Sequence, residues 1–239
     1  MRYRKEKQNI HYCDYCLVEM RQGKFETLTD GRERCRNCAQ TDINTEEQIL
    51  ELFEETLQNM EKIFNIHIDE EVKISIIDAN TIAQKLKDDH EFVCAPTGDF
   101  GQGTVSIVDY DVECYVIYVD QGAPKNVMIS CFIAGLTFIW QDKKWNGDDI
   151  LSRYGELNLG AIYEGMSIWA EIQYMLLTND KEYAKRLEWF VLDFTENDDI
   201  CRLGYLEYKR QFPLSESIDT MQKTPFQKIP PLELPMENL

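Results

Sequence analysis

The chain has 239 residues and a mass of 28.1 kDa, enough for one medium domain with a small appended module, and its 44% hydrophobic and 11% aromatic content excludes wholesale disorder. Its 43 acids against 25 bases give a formal charge of −18, which repels phosphate backbones and anionic lipid over most of the surface. The longest apolar run, Val127 to Trp140, contains Ser130 and Thr137 and is shorter than the roughly 20 residues that cross a bilayer.

Met1 to Lys7 is basic, but no apolar stretch follows it, so no secretory signal is expected. Next comes Cys13-x2-Cys16, then after eighteen residues Cys35-x2-Cys38. Two thiolates separated by two residues can grip one ion from a tight turn, and a second such turn completes the tetrahedron that zinc accepts. About 45 residues build little core, so the metal would supply folding free energy, and the site is expected to be structural and closed. His11 is a neighbour expected to be an ordinary surface histidine. Tyr12, Tyr15 and Phe25 are expected to pack around the cysteine turns, and Arg32, Arg34 and Arg36 form a basic cluster open to a small anionic contact. The other cysteines, Cys94, Cys114, Cys131 and Cys201, lie far apart in apolar surroundings. Metal ligands plus buried free thiols point to a reducing compartment, the cytoplasm.

Residues 1–44 carry 9 bases and 7 acids, leaving −20 for the remainder, and a boundary is placed there. Thr45-Glu-Glu-Gln48 is a capping box, and Ile49, Phe53, Leu57, Met60 and Phe64 recur at helical spacing, which predicts a helix of about five turns. Val72–Ile77 reads as a strand and Ala79–Lys87 as a short helix. A turn-rich patch, Pro96 to Gly103, feeds Thr104–Val108 and Glu113–Val119, which read as an antiparallel hairpin turning at Asp109–Asp111. Gly98, Gly101 and Gly103 lead into a strand and lack a following Lys-Ser/Thr, so they form a connection and not a phosphate loop. Helices are expected at Lys125–Gln141, Leu159–Leu177 and Lys181–Asp193. The pairs Asp148-Asp149 and Asp198-Asp199 read as solvated turns. Five of the seven prolines fall at Pro213, Pro225, Pro230, Pro231 and Pro235, so Ser215–Leu239 reads as an extended tail, free or laid along a partner.

Several segments together resemble a known family. They are Cys13-Asp-Tyr-Cys16 with Asp30-Gly-Arg-Glu-Arg-Cys-Arg-Asn-Cys38, Tyr118-Val-Asp-Gln-Gly-Ala-Pro124, the helical run Ser130 to Gln141, Tyr163-Glu-Gly-Met-Ser-Ile-Trp169 and Arg202-Leu-Gly-Tyr205. In this order they are similar to the zinc metallopeptidase domain that follows a LIM-type finger in the ubiquitin-activated growth-limiting peptidases of plants and their bacterial relatives. The resemblance spans about residues 10 to 212. It implies an α+β chain: a small treble-clef, LIM-like zinc finger (1–44), a gluzincin-like metallopeptidase domain of a small sheet plus active-site-type helices (45–212), and a proline-rich tail (213–239). The family's active-site helix carries H-E-x-x-H. Aligned on Leu136-Thr137 and Trp140-Gln141, the two histidines fall on Ala134 and Phe138 and the glutamate on Gly135, while Glu164 matches the third ligand. Positions i and i+4 share a helix face, so two imidazoles there grip one ion and the carboxylate between them activates its water. Alanine and phenylalanine have no lone pair to donate, and glycine offers no base.

The expected function is therefore a catalytically silent, metallopeptidase-like protein with one structural zinc on Cys13, Cys16, Cys35 and Cys38, acting by protein binding. Its expected partner is an active peptidase paralogue or a peptide segment, with no membrane contact and with nucleic acid disfavoured. Two alternatives stay open: a zinc-dependent peptidase with unconventional ligands, drawn from Cys131 with Glu164 or from the three histidines His11, His67 and His90, none of them near the run Ser130 to Gln141 in sequence, and a zinc-finger nucleic-acid-binding protein.

Overall fold

A computed structural model describes residues 11–78 except 22 and 30, 80–82, 84, 106–111, 114–178, 180–194, 200–221 and 223–227. The turn-rich patch with its glycines, Cys94, His90, Asp198-Asp199 and the tail beyond 227 lie outside these residues, as does most of the short helix expected at Ala79–Lys87. The chain divides into two compact units. Unit 1 takes in the chain up to Thr56 and Glu70–Gly135, and unit 2 takes in Leu57–Asp69 and the chain from Leu136 onward.

Unit 1 opens with two small antiparallel ribbons, β1 (His11–Tyr12) with β2 (Glu19–Met20), and β3 (Phe25–Thr27) with β4 (Glu33–Cys35), followed by the short helix α1 (Arg36–Gln40). Leu17, with φ of 62°, closes the first turn in the left-handed region, and Gly31, at 89°, closes the second ribbon. The Thr45 hydroxyl accepts from the Gln48 N–H at 3.3 Å and starts α2 (Glu46–Phe64), as the capping box predicts.

The three-stranded sheet has the order β5 (Val72–Ile77), β7 (Cys114–Asp120), β6 (Ser106–Asp111), with β5 parallel and β6 antiparallel to β7. Central β7 is buried at every position except Tyr118, which is why its sequence is a continuous apolar run instead of an alternation. The expected hairpin is present but tighter. Asp111 pairs with Cys114, so Asp109–Asp111 continue the strand and are not the turn. Beyond β7, Gly122 takes φ of 79° and the chain passes into α3 (Lys125–Lys144). There Ile43 N–H donates to Ala123 O and Lys125 N–H to Thr41 O, which ties the exit of the finger to the start of α3.

Unit 2 is helical: α4 (Gly147–Tyr154), α5 (Glu156–Leu177), α6 (Lys181–Trp189) running into a π-helical turn (Phe190–Phe194), and α7 (Ile200–Gln211). Asp148 and Asp149 belong to the first turn of α4, where the Asn146 side chain accepts from the Asp149 N–H, so they are not an independent turn. Helices α5 and α7 touch backbone to backbone. A Cβ on Gly165 would lie 2.6 Å from Gly204 Cα, and one on Gly204 would lie 2.0 Å from Ala161 O. Trp169, fully buried, donates its indole N–H to Phe212 O at 2.7 Å.

The start of the expected extended tail is folded onto unit 2. The buried Gln173 amide brackets the Ser215 backbone, donating to its O at 2.7 Å and accepting from its N–H at 2.8 Å. Phe226 is buried, its ring 4.7 Å from Phe64 and 5.0 Å from Trp140. The prolines exclude a long helix, but they leave room for 3-10 turns at Ile218–Thr220 and Pro225–Gln227 and for aromatic burial. Among the described residues, no helix is long and apolar enough to cross a membrane.

Candidate metal centre

The two ribbons of the finger bring Cys13, Cys16, Cys35 and Cys38 together. All four are buried, with sulfurs within 4.8 Å of one another. Cys13 and Cys38 Sγ lie 3.7 Å apart, as do Cys16 and Cys35 Sγ. Bonds of roughly 2.3 Å to a tetrahedral ion put thiolate sulfurs about 3.8 Å apart, so the cluster has room for one such ion. The backbone is arranged to support negative sulfur: Cys35 N–H donates to Cys13 Sγ and Cys38 N–H to Cys35 Sγ, each at 3.4 Å. In the absence of metal, hydrogen bonds from Cys16 and then Cys38 hold the Cys13 thiol down to about 2. The bond with Cys13 pushes Cys16 up to about 12 and also raises Cys38. These thiols bond to one another through shared protons, and a cation can take the place of those protons.

Three residues outside the cysteines hold the cluster in place. Asp14 Oδ2 accepts from Glu33 N–H at 2.6 Å while Asp14 N–H donates to Glu33 O at 2.8 Å, joining the first cysteine turn to β4. Arg32 does not belong to a surface basic cluster. Its guanidinium is buried, donates to Asp120 Oδ2 at 2.6 Å, and lies 4.9 Å over the ring of Tyr15, whose hydroxyl donates to the same oxygen at 3.1 Å. Asp120, at the end of β7, thus receives two side chains from the finger. Arg34 is committed to Glu26 and Asp42, with its guanidinium nitrogens at 3.0 and 3.2 Å. His11 is not in the cluster: its Nδ1 is 2.7 Å from Glu33 Oε2 and its ring stacks on Phe25. Sequence reasoning found the four ligands but missed Asp14, Arg32 and Asp120. The available signals were the positions of Asp14 between the first cysteines and of Arg32 three residues before Cys35.

The peptidase-like positions look different. Ala134 is fully buried and Gly135 is buried, and both belong to unit 1. Phe138 and Glu164 belong to unit 2 and are half-buried. The Phe138 ring lies 6.1 Å from Tyr163, which also meets the edge of Trp145 at 5.2 Å, and Gln141 Nε2 donates to Tyr163 O at 3.1 Å. His67 is held by Glu61 at 2.6 Å and Asp69 at 3.0 Å. Among the described residues, only the four cysteines gather three or more histidine, cysteine or acidic ligand atoms in one place. No family model, no curated protein and no solved structure matches the chain.

Proposed function

We propose that this chain is a non-catalytic relative of the LIM-linked zinc metallopeptidases that works by binding protein, with one structural zinc ion closed within its finger. Zinc fits a buried four-thiolate set because it has no geometric preference of its own and favours sulfur at tetrahedral spacing. With all four positions filled by protein, no open position remains for a reacting water, so the ion's part is structural. Cys114, Cys131 and Cys201 form no disulfide, which fits the reducing compartment that such a centre needs.

The observation that carries the non-catalytic reading is aromatic packing at the second histidine position. Phe138 sits against Tyr163, the residue beside Glu164, and Gln141 fastens the same segment. Unpaired histidines and a carboxylate left in a vacated pocket would cost about 1–3 kcal/mol each, and apolar replacements remove that cost. The wild-type chain tests this reading: supplied with excess zinc it should cleave no peptide and hold a single ion that Glu164→Ala leaves in place. Chelator-sensitive cleavage of a peptide would end the non-catalytic reading.

A further inference from the structure

The finger carries a second feature, separate from its cysteines. Gly23 and Lys24 in the turn before β3, Phe25 and Glu26 of β3, Arg34 of the paired strand β4, and Arg36 and Ala39 of α1 line a cleft of about 550 Å³. Three cations line it against one carboxylate, Glu26. Arg34 is mostly buried and already bonded to Glu26 and Asp42, so it neutralises Glu26 and fixes the wall. Lys24 and Arg36 are exposed, and among the described residues no hydrogen bond or ion pair engages either side chain. Phe25 and Ala39 are half-buried and supply apolar surface to the same cleft, with Phe25 backed by His11 at 4.9 Å and nearly parallel. The site therefore combines two exposed cations with an apolar patch, on a chain whose residues beyond 44 sum to −20.

We propose that this cleft binds an acidic peptide segment of a partner protein, with Lys24 and Arg36 each taking a carboxylate and an apolar side chain between them lying on Phe25. The volume falls within the range of small-ligand sites and suits one bulky side chain with its flanks. A nucleic-acid strand is disfavoured, because a phosphate lattice needs a run of cations and the acidic remainder repels it at every further step. Charge complementarity of this kind sets partner choice and association rate, and salt screens it. The proposal concerns the finger alone and does not depend on the fate of the peptidase-like helices.

The test uses the zinc-loaded full chain and a fluorescein-labelled peptide in which paired glutamates flank one phenylalanine, read by anisotropy. The Lys24→Glu, Arg36→Glu variant, checked for intact metal content, should weaken binding roughly tenfold or more. The equally charge-changing Lys125→Glu, Lys144→Glu variant should leave it unchanged, and raised salt should weaken the wild type alone. Replacing the phenylalanine of the peptide with serine should also cost affinity. The proposal is overturned if the peptide does not bind or binds equally to the finger variant. It is overturned as well if a labelled oligothymidine binds more tightly at the same residues, or if the variant instead abolishes self-association and so identifies a second copy as the occupant.

Discussion

Around the cysteines, the finger buries few large side chains, chiefly Tyr15, Leu17 and Met20, and its ribbons of two and three residues have almost nothing else to pack. Unit 2 keeps Trp169, Tyr183, Tyr205 and Tyr208 fully buried, and α5 and α7 are pressed together at glycines. Both regions bring backbones close, but for different reasons. In the finger, backbone N–H groups approach sulfur because the thiolates need donors. In unit 2, they approach because a small residue lets two helices share large neighbours. The first region rests on four clustered thiols that could hold an ion and on one distant carboxylate, and the second rests on shape. Each should therefore fail under a different insult.

The largest expected effect is on the finger. Cys13→Ser should remove the metal, and with it folding free energy on the order of 10 kcal/mol. Hydrogen exchange should then show protection lost across residues 11–44 while α5 and α7 keep theirs. Protection retained in the finger would break the comparison.

Next in size is the anchor on the sheet. Asp120→Ala strands the Arg32 charge in a buried site, which costs about 3–5 kcal/mol. Denaturant unfolding should register that loss, and a combined Arg32→Met, Asp120→Leu variant should recover much of it, because removing both charges removes the desolvation cost as well.

Gly204→Ala sharpens the contrast from the other side. Its Cβ would meet a carbonyl oxygen at 2.0 Å, so α5 and α7 must part, at about 3 kcal/mol. Thermal unfolding should fall and metal content should not change.

The smallest effect is acid-sensitive. Its hydrogen bond to Lys181, and then the Lys181 charge, hold the exposed Glu216 carboxyl below the usual range. A depressed carboxylate contributes stability that is present above its unfolded value of about 4.3 and is lost as pH falls through the folded value. Protection factors at Ser215–Ser217, with the intrinsic pH dependence of exchange divided out, should therefore fall on acidification through that window, and Glu216→Gln should flatten the response.

The gathering of the four cysteines was legible because cysteine spacing is a local signal, and the same holds for Thr45 at the start of α2 and for the apolar run of β7. Arg32 was misread as a surface cation because its partner lies 88 residues away, beyond the reach of any local pattern. Helix α7 was not among the expected helices, where Arg202-Leu-Gly-Tyr205 stood only as a motif of the resemblance, and the missing side chain of Gly204 is what lets α7 approach Ala161 and Gly165. The tail was read from proline alone, yet Phe226 supplies an aromatic anchor that composition does not weigh.

Native mass spectrometry of the purified chain tests the central claim most directly, because it counts ions per polypeptide. One zinc ion per chain is expected, lost on Cys13→Ser or Cys35→Ser and unaffected by Glu164→Ala. A second ion that persists without the cysteines and disappears with Glu164 would contradict it.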